Sequence, residues 1–279
     1  MVKLEQRKAI IGLKDKGGAN LSTSLNAIAT VLRATGGDTF SVHVIDADGF
    51  NSTLTQRLGQ RDESGKLLAD QDPAKGVLKA DLFKVEGIPP LFAAVESDAR
   101  FVIIDTPAGG LTKIDELSEN LGASQFIQHI VDCGRQPIIM VPFAPAVASI
   151  RGVAKAVERF GASVPIVALR SMVGVKDSDY RLWTAEKFMD QYGRQVGGRT
   201  RAAFEAVGGR MIDIPALTAG PNAMAEALSL TYAQAATSTG GSWQNYDRLN
   251  VAQWLLAWTG ELQKIGDLLG LENADWKAF

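Results

Sequence analysis

The chain has a single cysteine, Cys133, among 279 residues. That excludes an internal disulfide and a thiolate metal cluster. Histidine is nearly as scarce, with only His43 and His129, which fall in different predicted elements. A zinc centre or a Ser-His-Asp relay needs more imidazole, or imidazole better gathered, than this. No run of about 18 apolar residues occurs, so no membrane span is expected, and the opening residues lack the pattern of a secretory leader. Charge of one sign is missing too. The formal net charge is −2 and the pI about 5.8, so there is no global attraction to nucleic acid or to an anionic membrane. A reducing cytoplasm is the simplest location these absences allow.

What is present is apolar sequence in short blocks. Hydrophobic residues make up 46% of the chain, enough for a substantial core. Strand-like runs rich in β-branched residues fall at 9–13, 40–45, 101–104, 138–141, 166–169 and 210–214. They do not alternate cleanly, which suits a parallel sheet covered on both faces. Helix-like text separates most of them, as at 23–34, where Gly36-Gly37-Asp38 marks the stop, and at 114–133 and 147–160. The expected architecture is α/β, a doubly wound, mainly parallel sheet with its ligand site at the carboxyl ends of the strands. Residues 1–236 read as that domain. Residues 237–279 read as a Ser/Thr/Gly linker and a C-terminal amphipathic helix packing on it. The polar stretch 60–80 reads as a surface excursion.

The most informative run is Lys14-Asp15-Lys16-Gly17-Gly18-Ala19-Asn20-Leu21-Ser22-Thr23. It lies between the first strand and the first helix, where backbone N–H groups at a helix N-terminus can cradle phosphate. The plain alternative is a strand-to-helix turn capped by a serine.

This run resembles the deviant Walker A motif of the ParA/MinD family of P-loop ATPases, Gly-Lys-Gly-Gly-x-Gly-Lys-Thr. Lys16, Gly17 and Gly18 match the early lysine and the glycine pair, and Ser22 matches the magnesium-binding hydroxyl. Asp46-Ala47-Asp48 after the second strand resembles the switch I aspartates, and Asp105-Thr106-Pro107-Ala108-Gly109 after the third resembles the Walker B and switch II segment. The match runs over about 8–230. It implies that Gly17, Gly18, Ala19, Asn20, Leu21, Ser22 and Thr23 surround the phosphates of ATP or ADP, and that Ser22, Asp46 and Asp105 serve Mg²⁺. It also implies that Asp48 positions the attacking water, and that Lys16 reaches the partner's nucleotide across a homodimer.

Three positions depart from the pattern. Asp15 and Asn20 replace glycines, and Leu21 replaces the phosphate lysine. Losing one charge-assisted hydrogen bond costs about 1.5–3 kcal/mol, or roughly ten- to a hundred-fold in affinity. Asn20 is the mildest change, because asparagine tolerates left-handed backbone. The expected function is a nucleotide-dependent positioning or partition protein for a plasmid, conjugation or cell-assembly cargo, with weak or lost ATP hydrolysis. The alternative is a scaffold that binds protein partners without nucleotide. A protein partner or adaptor is expected on either reading. Nonspecific DNA is a second partner class, resting on Arg181, Lys187 and the arginines of 194–201, a segment diluted by Glu186, Asp190 and Glu205. The C-terminal helix carries Glu261, Asp267, Glu272 and Asp275 against Lys264 and Lys277, which argues against a membrane. Arg170, where the family often reads adenine, is expected to be a surface residue.

Overall fold

A computed structural model describes residues 6–14, 20–49, 52–117, 122–184, 189–277 and 279. In chain order the elements are β1 (Arg7–Lys14), α1 (Leu21–Gly36), β2 (Val42–Asp46), α2 (Thr53–Leu58), β3 (Leu78–Lys79), α3 (Ile88–Glu96), β4 (Phe101–Ala108), α4 (Gly110–Leu117), α5 (Ala123–Asp132), β5 (Arg135–Phe143), α6 (Val147–Phe160) and β6 (Ile166–Ser171). There follow α7 (Arg181–Thr184), α8 (Arg199–Ala206), β7 (Arg210–Ile214), α9 (Ala219–Ala227), α10 (Tyr232–Thr237), α11 (Asn245–Gln263) and α12 (Gly266–Leu269).

The strands form one seven-stranded sheet in the order β3-β2-β4-β1-β5-β6-β7, with every pairing parallel. β1 is central. The chain leaves it towards β2 and later returns across it to β5, so a topological switch point lies at its carboxyl end. Side chains on successive strand residues point to opposite faces. Ile10 and Ile103 join one core with α1 and α11, while Ala9, Ile11, Val102 and Ile104 join a second core with α3, α5 and α6. Both faces are covered, which is why the strands read as apolar runs rather than as alternating text.

Two expectations change in detail. The helix-like run 114–133 is covered by α4, to Leu117, and α5, from Ala123, with 118–121 outside the described residues. The C-terminal helix α11 buries one face, and Leu249, at its start, lies outside that face. Trp254, Leu255, Trp258 and Leu262 are buried, while Leu249 and Leu256 are exposed. Trp258 is fully buried in the α1 core, Trp254 Nε1 donates to the Pro215 carbonyl at 2.9 Å, and Glu261 accepts from the Asp213 amide at 2.9 Å. The linker-like text at 237–242 ends in a tight turn with Trp243 buried. Its indole N–H donates to the Ala235 carbonyl at 2.8 Å.

Candidate functional site

The carboxyl ends of β1, β2 and β4 bring the sequence-marked acids together. Gly12, Asp46 and Asp105 stand in one row, because Asp105 is the Cα partner of both Gly12 and Asp46. Asp48 follows two residues beyond β2. Asp46, Asp48 and Asp105 are all buried.

Asp46 is already engaged. Its Oδ2 accepts from the Thr55 amide at 2.9 Å and from Thr55 Oγ1 at 2.8 Å, and its Oδ1 accepts from the Asp48 amide at 3.2 Å. Thr55 lies in the first turn of α2, so Asp46 satisfies free donors there as a cap does. Burial pushes its pKa up, and the Thr55 and Asp48 donors oppose that rise.

Asp105 differs. Neither carboxylate oxygen has a hydrogen-bond partner among the described residues. Burial pushes its pKa up to about 6, with the Lys14 ammonium and the Ser22 hydroxyl favouring the charged form and Asp46 and Asp48 opposing it. The Ser22 hydroxyl is therefore near but does not make a bond to either oxygen.

Lys14 carried no role of its own in the sequence reading. In the fold its Nζ lies 3.1 Å from Asp48 Oδ2 and 3.9 Å from Asp105 Oδ1, and its side chain is 11% exposed. A register break sets this up. Gly12 pairs with Asp105, but Lys14 pairs with Ala108, so β4 carries an extra residue in that interval. Pro107 lies in the break and has no N–H to give to a ladder. The Gly109 amide then donates to the Lys14 carbonyl at 3.0 Å, and Thr106 Oγ1 donates to the Gly12 carbonyl at 2.7 Å. Gly109 has φ +71°, a left-handed backbone that favours glycine. The signal available in sequence was a lysine ending an apolar strand whose neighbour ends in Asp-Thr-Pro.

The phosphate-turn residues divide. Lys16, Gly17, Gly18 and Ala19 lie outside the described residues, as do Asp15 and Lys187. Asn20 stands just before α1 in left-handed backbone, φ 58° and ψ 24°, and its carbonyl accepts from the Ser24 amide and hydroxyl. Ser22 and Thr23 are half-buried in the first turn. Leu21 belongs to the apolar core at 3% exposure. A Cβ on Gly12 would sit 3.0 Å from one Leu21 methyl and 2.6 Å from a Leu25 methyl, so both pack tightly under β1. The Leu21 side chain is thus part of the packing under β1.

For a magnesium ion the side chains divide. Asp46 is bonded to Thr55 and the Asp48 amide and Lys14 lies 3.1 Å from Asp48, and no cluster of three or more His, Cys, Asp or Glu arranged for a metal occurs among the described residues. Asp105, with neither oxygen bonded among the described residues and the Ser22 hydroxyl nearby, is the group at which a cation fits.

Other marked residues turn out to be structural. Arg170 is not a free surface residue. It makes a bidentate pair with Asp213 at 2.6 and 2.8 Å and a further pair with Asp177 at 2.7 Å. In the basic segment Arg194 pairs with Asp190 and Arg201 with Glu205, both at 2.7 Å. No helix among the described residues is long and apolar enough to cross a membrane.

No protein-family model matches the chain, and no curated protein matches it. Solved structures do. A ParA family ATPase from Chlorobium tepidum TLS aligns at TM-score 0.50 and 12% identity, covering 90% of this chain and 98% of that one. The ATP complex of a Cyanothece McdA variant aligns at TM-score 0.48 and 13% identity, covering 94% and 97%. The MinC:MinD cell division protein complex of Aquifex aeolicus aligns at TM-score 0.42 and 14% identity, covering 91% and 96%. Identities this low speak to architecture, and the architecture of this chain is the ParA/MinD-type P-loop NTPase fold.

Proposed function

We propose that this chain is a ParA/MinD-like positioning protein that responds to ATP or ADP and hydrolyses ATP weakly or not at all. The observation that carries the reading is the meeting of Lys14, at the end of β1, with Asp48 and Asp105 at the carboxyl end of the sheet. On this reading Gly17, Gly18 and the amides from Ala19 to Thr23 cradle the phosphates at the start of α1. Lys16 reaches across a homodimer, and a protein partner or adaptor reads the resulting state. Two features support the weakness of hydrolysis. The buried Leu21 side chain offers no charge to the phosphates, and Asp48, the residue that would position water, is held by Lys14. Paired acids within the 190–205 segment favour a protein partner over DNA.

The test is calorimetric titration with ATP and ADP together with single-turnover phosphate release. The expected result is measurable binding, roughly ten- to a hundred-fold weaker than an intact phosphate lysine would allow, and release too slow to complete a cycle within the assay. Rapid turnover would refute the loss of hydrolysis. Absence of binding under every condition would leave a second reading, a scaffold without nucleotide. One observation favours that reading: Lys14 already pairs with Asp48 at 3.1 Å and lies 3.9 Å from Asp105. On the scaffold reading Ser22→Ala leaves partner binding unchanged.

A further inference from the structure

We infer that the hollow at the amino ends of β1, β5, β6 and β7 is a binding site for a small organic carboxylate, with the Lys8 ammonium as its counter-charge. Lys8 and Lys14 stand near opposite ends of β1, about 20 Å apart, so this hollow is remote from the acids at the carboxyl end of the sheet. No residue of the β1–α1 turn takes part in it.

Strand geometry builds the floor. Lys8 is the Cα partner of Gln136, and Gln6 precedes Lys8 by two positions, so the three side chains share one face of the sheet. It is the face of Ile10 and Ile138, which join the core beneath α11. Lys8 Nζ donates to Gln136 Oε1 and, at 3.3 Å, to Gln6 Oε1. All three residues line an open hollow of about 500 Å³, a size common among small-molecule sites. The loop after α6, the turn before β7 and α12 complete its lining.

Three observations select the ligand. First, Lys8 is only 3% exposed, and both groups that accept from its ammonium are neutral amides. A buried ammonium is costly until an opposite charge joins it. Desolvation accordingly lowers the Lys8 pKa, Arg100 adds to the fall, and Glu272, which makes no ion pair with it, opposes the fall. Second, a glutamine whose Oε1 faces an ammonium keeps its amide N–H groups for another acceptor. Neither Gln6 nor Gln136 spends its side-chain N–H on a described residue, so an anion beside Nζ meets donors as well as charge. Third, the other cation of the hollow is matched: Arg210 pairs with Asp267 at 2.7 Å, both half exposed. One ammonium left over suits a single negative charge, and Asp267 disfavours a dianion. Val164, Pro165, Ile166, Val207 and Leu268 offer an apolar wall to a hydrocarbon body.

The test uses the isotope-labelled full chain at neutral pH, with hexanoate as the probe and hexanol and inorganic phosphate as controls. Hexanoate is expected to shift the amide resonances of Gly161, Ala162, Ser163 and Gly208, lining residues of the hollow, and to saturate. Hexanol lacks the charge and phosphate lacks the apolar body, so each is expected to bind at least about tenfold more weakly. Lys8→Met removes the ammonium at similar volume. It is expected to lose about ten- to a hundred-fold in hexanoate affinity without losing affinity for hexanol. Unmoved amides at millimolar hexanoate overturn the inference. So does hexanol binding equal to hexanoate, which would show an apolar hollow only, or phosphate binding as tight, which would show a general anion site. A folded Lys8→Met that binds hexanoate as the wild type does overturns it too. The wild-type comparison of the three probes decides even if Lys8→Met does not fold.

Discussion

Replacing Asp105 by asparagine changes how stability depends on pH, and the magnitude follows from the burial of that one carboxyl. In the fold its pKa is raised to about 6 from 3.8, mainly by desolvation. A raised carboxyl pKa means the folded state holds the proton more tightly than the unfolded chain does. The resulting stability is fully present below the unfolded value, near pH 4, and is lost as pH rises through about 6. A tenfold change in proton affinity is worth about 1.4 kcal/mol, so the whole loss is about 3 kcal/mol. Between pH 4.5 and 7.5 the wild type should lose about 2 kcal/mol that Asp105→Asn does not. The asparagine amide brings its own cost beside Lys14, but that cost does not titrate and cancels when the two pH profiles are subtracted. Urea unfolding at half-unit pH steps measures both profiles. Parallel profiles, agreeing within about 0.5 kcal/mol once offset, would show that Asp105 is well solvated or well bonded. A difference of opposite sign would show that Lys14 stabilises the carboxylate by more than burial penalises it.

Other substitutions probe the supports of the site. Leu21→Lys should lower stability by about 2 kcal/mol or more, because the new charge enters the packing beneath Gly12; urea midpoints measure it, and a variant as stable as the wild type would show that the lysine escapes to the turn. Gly12→Ala should cost about 1–3 kcal/mol by overpacking against Leu25 and Leu21, read in the same way. Trp258→Ala should cost about 3–5 kcal/mol, since this indole is buried between α11 and α1. Arg170→Met should cost about 1–3 kcal/mol by leaving partly buried Asp213 unpaired, and thermal unfolding should report it.

Much of the fold was legible because parallel strands covered on both faces must be apolar throughout. The run at 210–214 matches β7, and 147–160 matches α6. β3 was not legible. It is two residues long and lies in polar text, paired only with Ile45 and Asp46. That two helices, α4 and α5, cover 114–133 was not legible because both stretches carry helical periodicity. At the site, Asp46, Asp48 and Asp105 were marked by position after strands, and the fold brings them together. Their bonding was not legible. The engagement of Asp46 depends on where Thr55 falls in α2, and the reach of Lys14 depends on a register break around Pro107. Both are tertiary outcomes that single-strand patterns do not encode. Leu21 read as a missing charge, whereas its burial gives it a packing role beneath Gly12.

The most direct test is a calorimetric titration of the intact chain with ATP, once in EDTA and once in excess magnesium. A retained nucleotide response predicts binding in at least one buffer, roughly ten- to a hundred-fold weaker than an intact phosphate lysine would allow. Binding in neither buffer would contradict it.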